Sequence, residues 1–278
     1  MKCVTEVEGV TFIDLERLWQ GVVGIPQADR LRVLLREAGV RFWDEGDLLV
    51  RESSIGVVGV GGLPISILND ERGVGFAAMG GAPFNITQLR EAILNMMGAC
   101  AFMTYLNPRD KSQRAMTNDV FAKEHFSIAH SVFLNVGIFG LSCAVENELN
   151  SQRDLVHLAR VTIARTAAQR DPPLFVLDET DLPHYVRVRS LVREIVEESK
   201  TRNFESLNNL FPAAKAGMVI ASGSLRNYQK LLVAKEDPGK EEEYRRILGK
   251  LHRLLRELVP SMFTPDPSSA TGCRLSES

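Results

Sequence analysis

Between residues 41 and 87 short runs of Val and Ile alternate with Gly, Pro and Asn-Asp turn signals (RFWDEGDLLVRESSIGVVGVGGLPISILNDERGVGFAAMGGAPFNIT). Side chains branched at Cβ favour extended backbone and the intervening residues favour reversals, so this stretch predicts several short antiparallel strands. Ahead of it, Ala28 to Ala38 has helical periodicity and Gly39 to close it. Residues 1–88 therefore read as a small α+β unit. Gly56, Gly59, Gly61 and Gly62 invite comparison with a phosphate-cradling loop, but such a loop follows a strand and opens a helix. Here Leu63-Pro64-Ile65-Ser66-Ile67 continues in strand style, which favours a glycine-rich hairpin.

Helical patterns dominate the remainder. From Asn85, Thr87-Gln88-Leu89-Arg90 leads into an apolar run to Tyr105, stopped by Asn107-Pro108, and a second start follows at Thr117. His130 to Leu141, rich in Val, Phe and Ile, predicts a strand entering a long helix from Ser142 to about Ala168, ended by Asp171-Pro172-Pro173. Amphipathic helices are expected over Leu182–Arg202 and Glu241–Leu258, with Ser224–Ala234 also helical. The Pro/Ser-rich residues 264–278 are expected to be a disordered tail.

A chain of 278 residues that is 45% hydrophobic and 24% charged is typical of a globular protein with a sizeable core. It has no apolar stretch of the roughly 18 residues a membrane span needs and no secretory pattern at its start, so a cytoplasmic protein is expected. Lys+Arg 33 against Asp+Glu 35 leaves a net charge of -2, which gives no field for nucleic acid and confines anion binding to local clusters. Cys3, Cys100, Cys143 and Cys273 lack metal-binding or disulfide spacing, and Cys100 and Cys143 read as core residues rather than activated thiols. One cluster lies in the expected long helix, where Arg153, His157, Arg160 and Ala164 would share a face. It can be a solvated basic face paired with Glu146 and Glu148, or an anion cradle.

Several segments resemble a known family when taken in order. Gly140-Leu141-Ser142 is followed by Ser151-Gln152-Arg153 and Thr162, and His125-Phe126-Ser127-Ile128-Ala129-His130 lies upstream. Downstream stand Leu210-Phe211-Pro212, Ser224-Leu225-Arg226, Lys235, Glu243-Tyr244-Arg245 and Pro260-Ser261-Met262-Phe263. From about residue 90 to 263 this register resembles the flavin-dependent thymidylate synthase family, with Ser151 and Gln152 in place of the first two residues of its R-H-R signature. Among relatives, the departures resemble the uridylate C5-methylases of polyoxin-type nucleoside antibiotic pathways.

The resemblance implies an α+β fold of long helices with an antiparallel sheet over residues 89–263, preceded by an N-terminal α+β extension. It implies FAD as cofactor, NADPH and methylenetetrahydrofolate as co-substrates, and C5-methylation of a uridylate nucleotide without a protein nucleophile. UMP and dUMP both remain open as substrates. It also implies a homotetramer and no metal. By residue, His125, Ser127, Ser151, Ser224 and Lys230 would serve the flavin, while Gln152, Thr162, Arg165 and Arg226 would serve the nucleotide. Arg153 would grip phosphate, and Lys235 would stand against the uracil carbonyl where the family uses arginine. Two other classes stay open: a non-catalytic flavin- or nucleotide-binding paralogue, and a helical interaction protein in which Arg153, Arg160 and Arg165 form a solvated face.

Overall fold

The computed structural model describes residues 3–43, 49–70, 73–78, 82–104, 112–152, 154–160, 175–176, isolated positions between 183 and 194, and 213–264. Its centre is an eight-stranded sheet. β1 (Val4–Val7), β2 (Val10–Ile13), β5 (Ser54–Val60), β8 (Phe133–Ser142), β11 (Ala216–Ser224) and β9 (His157–Arg160) lie side by side in that order, and β6 (Leu63–Asp70) and β7 (Gly73–Ala78) extend it from β5. β3 (Arg41–Phe42), β4 (Leu49–Glu52) and β10 (Phe175–Val176) form a second, small sheet. Strands of the front and rear of the chain share the large sheet, because β5 is hydrogen-bonded antiparallel to β8 from Ser54↔Phe139 to Val60↔Leu134.

The glycine-rich segment is a hairpin. Val60 pairs with Leu63, and Gly61 and Gly62 between them both have positive φ (59° and 82°), the geometry of a two-residue hairpin turn. The pairs β5–β6 and β6–β7 are antiparallel, as the alternation over residues 41–87 implies, and β5–β8 and β8–β11 are antiparallel too, whereas β2 and β5 run parallel.

α1 (Leu15–Val22) starts at Asp14, whose carboxylate accepts from Arg17 N and from Ile67 N across the fold, and α2 (Gln27–Glu37) is the helix expected before Gly39. α3 (Ile86–Thr104) begins with a reciprocal cap: Asn85 Oδ1 accepts from Gln88 N, and Gln88 Oε1 accepts from Asn85 N, each at 2.9 Å. α4 (Gln113–Ala122) corrects the start expected at Thr117. Ser112 is its cap, and Thr117 lies buried inside the helix, donating to Leu94 O at 2.8 Å. These two helices touch closely, since a Cβ at Gly98 would stand 2.2 Å from the carbonyl oxygen of Gln113.

A single 3-10 segment, Phe126–Ser131, leads into β8, and Ser142 then caps α5 (Cys143–Ser151) by accepting from Val145 N. The long helix expected from Ser142 to Ala168 does not form. α5 ends at Ser151, and His157–Arg160 is a strand paired antiparallel with Val219–Ser222 of β11. β11 offers a row of backbone donors and acceptors that local sequence could not announce, and pairing with it outweighs helical continuation. The helix face expected to gather Arg153, His157, Arg160 and Ala164 is therefore not formed by His157–Arg160, which is a strand. The rest of that helix, most of the one expected over 182–202, Leu210-Phe211-Pro212 and the tail lie outside the described residues.

α6 (Leu225–Leu232) runs into a 3-10 turn, Val233–Glu236, and α7 (Glu242–Leu258) and a last turn, Pro260–Phe263, close the fold. α7 buries Tyr244, Ile247, Leu248, Leu251, Leu254, Leu255 and Leu258 along one stripe. With each buried leucine worth about 1.5–3 kcal/mol, this stripe holds α7 to the core. Among the described residues no helix is long and apolar enough to cross a membrane.

Candidate nucleotide site

The site is built around the first turn of α6. Ser224 ends β11 and caps the helix, its Oγ accepting from Asn227 N at 3.2 Å. The dipole of a helix start creates positive potential suited to an anion. Leu225 N donates to Val132 O at 2.9 Å, which ties the helix start to the segment Phe126–Ser131 just before β8. From that segment His130 brings Nδ1 within 3.1 Å of Ser224 Oγ.

Two cations of α6 join this point. The Arg226 guanidinium lies 5.4 Å from the ring centre of Phe126 and bonds the side-chain oxygen of Gln229. Burial first, then the charges of Lys230 and Arg226, lower the pKa of His130. Desolvation and like charge both disfavour the imidazolium.

The loop between α5 and β9 forms another wall. A Cβ on Gly223 would stand 3.0 Å from Val156 Cγ1, 3.2 Å from Leu155 O and 3.7 Å from Asn227 Cβ, so glycine permits this loop to lie against the start of α6. Gln152 begins the loop: Leu155 N and Val156 N both donate to its carbonyl. Ser151 donates its hydroxyl to Glu148 O at 2.6 Å, which commits it to finishing α5.

The structure thus brings together Ser224, Arg226 and Lys230 of the expected residues, with Gln152 at the root of the adjoining loop. His125 and Ser127 are exposed at the beginning of the Phe126–Ser131 segment. Arg153, Thr162 and Arg165 lie outside the described residues. Lys235 is not in this cluster. Nine residues beyond Arg226, it is displaced by about 13 Å at the helical rise of 1.5 Å per residue. Its Nζ lies 3.0 Å from Glu236 Oε1 and 3.3 Å from His252 Nδ1, so it pairs with Glu236 on a side chain only 16% exposed.

Three residues of these clusters were missed by sequence reasoning. His130 was visible as the second histidine of its segment, but nothing local linked it to Ser224, 94 positions away. Phe126 and His252 carried no signal. Cys100 is half-buried and packs against the core, while Cys143 is half-buried with Sγ accepting from Asn147 Nδ2 at 3.8 Å.

No protein-family model and no curated protein matches the sequence. Solved structures do. The chain is similar to a crystal structure of thymidylate synthase X from Helicobacter pylori with FAD and dUMP, at a TM-score of 0.53 and 14% identity, over 63% of this chain and 94% of that one. A flavin-dependent thymidylate synthase from Helicobacter pylori complexed with FAD and dUMP matches at a TM-score of 0.50 and 11% identity, over 61% of this chain and 93% of that one. The fold is the α+β fold of these enzymes, as the sequence register implied.

Proposed function

We propose that this chain is a flavin-dependent methylase of uridylate, binding FAD and UMP or dUMP. Methylenetetrahydrofolate would be the one-carbon donor and NADPH the reductant. The observation that carries the reading is the convergence of Ser224, Arg226 and His130 at one helix start, with Lys230 in the last turn of the same helix acting on the His130 ring, within the fold of enzymes whose structures hold FAD and dUMP.

The donor set fits the group proposed for it. A helix N-terminus, a guanidinium and an ammonium suit the phosphates of FAD or of the nucleotide, and Arg226 lies over the Phe126 ring, which narrows its search for a partner. When bound, the reduced flavin supplies the one-carbon transfer to C5 of the pyrimidine, so the chain's own work is positioning and electrostatics. Arg226 and Lys230 bind and orient phosphate. Gln152 would reach the nucleotide from the adjoining loop, and Lys235 would oppose negative charge on the uracil carbonyl. Arg153, Thr162 and Arg165 complete the proposed set.

Two features of the wider reading follow the same resemblance: a homotetramer, and a place among the methylases of nucleoside antibiotic biosynthesis. Self-association is supported by an apolar hollow of about 320 Å³ walled by Leu18, Trp19, Phe139, Met218 and Ile220, with Trp19 60% exposed at its rim.

Purified protein titrated with FAD, followed by methylation assays on UMP and dUMP with methylenetetrahydrofolate and NADPH, tests the reading. FAD binding in the micromolar range and product methylated at C5 are expected. Cys143→Ala should keep turnover, and Lys235→Met should lower kcat more than it raises KM. Absence of FAD binding at high micromolar concentration removes the reading. Yellow protein inert toward both nucleotides would support instead the non-catalytic paralogue, which the commitment of the Ser151 hydroxyl to Glu148 O favours.

A further inference from the structure

His252, on α7, has both ring nitrogens engaged. Nε2 lies 3.0 Å from the carbonyl oxygen of Phe263, and Nδ1 lies 3.3 Å from Nζ of Lys235. A carbonyl oxygen only accepts, so Nε2 must carry a proton. An ammonium only donates, so Nδ1 must present its lone pair. Both contacts are therefore satisfied by a neutral, Nε2-protonated ring facing a charged lysine.

The setting explains why such a brace is useful. Lys235 sits on the 3-10 turn Val233–Glu236 rather than within a helix, and its ammonium ends a flexible four-carbon stem. An arginine would bring a planar fork that fixes its own hydrogen-bond directions, whereas a lysine ammonium must be oriented by its neighbours. Glu236 Oε1 and His252 Nδ1 supply two such neighbours, and Phe263 holds the ring that supplies the second.

We propose that His252 is a positioning residue for Lys235: held in its Nε2-protonated tautomer by the carbonyl of Phe263, it fixes the direction of the Lys235 ammonium for turnover. The role rests on the reading of Lys235 as the group set against the uracil carbonyl. Two substitutions separate the halves of the brace. In His252→Asn the side-chain oxygen stands near the place of Nδ1 and still accepts from Lys235, while the tie to Phe263 is lost. In His252→Gln the amide N–H reaches toward Phe263 and the acceptor for Lys235 is lost.

The experiment is nitrogen-15 NMR of the histidine rings in the full-length protein, together with steady-state kinetics of both variants and of Lys235→Met. The expected ring is the neutral Nε2-protonated tautomer. His252→Gln is expected to lower kcat about tenfold, the scale of one hydrogen bond to a charged group, with KM for uridylate nearly unchanged, and His252→Asn to retain most of kcat. An Nδ1-protonated ring overturns the proposal, as does full kcat in His252→Gln when Lys235→Met is impaired. A wild-type protein that binds no FAD and methylates neither nucleotide overturns the functional reading and this role together, so the two failures are distinguishable.

Discussion

The Nδ1 atom of His130 lies 3.1 Å from Oγ of Ser224, so one hydroxyl both caps α6 and meets a ring delivered by the segment before β8. Two substitutions separate those duties. Ser224→Ala removes the cap and should lower stability by about 1 kcal/mol. Ser224→Asp keeps a capping oxygen but places negative charge at a position only 1% exposed, beside the proposed phosphate, so it should weaken FAD binding, with desolvation of the carboxylate offsetting part of the cap it preserves. Thermal denaturation and isothermal titration of the two variants check this; equal FAD affinity in Ser224→Asp and wild type would remove phosphate from the helix start.

His130 should titrate below its ordinary value of 6.5 in the free protein, because burial and then Lys230 and Arg226 disfavour the charged ring. A base depressed in the folded state contributes stability above its ordinary pKa, and that contribution is lost as pH falls below 6.5 through the folded value. Bound phosphate would offset the cations and move the titration upward. NMR titration with and without FAD reads both effects, and a midpoint above 6.5 in the free protein would contradict the cluster described here.

Arg226 lies over the Phe126 ring, 5.4 Å from its centre, as well as being charged. Arg226→Lys keeps the charge but loses the planar fork and its contact with the ring, and should weaken FAD or nucleotide binding about tenfold, with Arg226→Ala weaker still. Calorimetry on both variants, with folding verified by circular dichroism, tests it. If the lysine variant binds as wild type does, charge alone suffices and the contact with Phe126 is incidental.

Glu243 accepts from Ser142 N at 2.9 Å, yet burial raises its pKa against the opposing effects of that bond and of Arg246. A carboxyl whose folded pKa is raised stabilises the fold below its ordinary value of 4.5 and loses that contribution as pH rises through the folded value. Glu243→Gln keeps an acceptor without the charge, so it should be more stable than wild type at neutral pH, with the gain shrinking below 4.5. Denaturant unfolding at the two pH values decides it; a gain independent of pH would assign the effect to packing.

Local chemistry made much of the fold legible. Gly61-Gly62 between apolar runs announces its hairpin, Gly39 closes α2, and the leucine stripe of α7 is readable because a helix brings every third or fourth residue to one face. The order of motifs from Gly140 to Phe263 also implied the α+β fold that the structure has.

What the sequence could not decide depends on partners distant along the chain. His157–Arg160 is compatible with a helix in isolation and became a strand because β11 offers it a ladder. His130 and Ser224 meet because β8 and β11 pair in one register, with Phe133 opposite Ser224. Lys235 reaches His252 because a 3-10 turn packs on α7. Helix starts, turns and amphipathic faces are set by neighbours a few residues away and so are written in order along the chain. Strand pairing and the meeting of polar side chains are set by the balance of long-range contacts, which exists only once the core has formed.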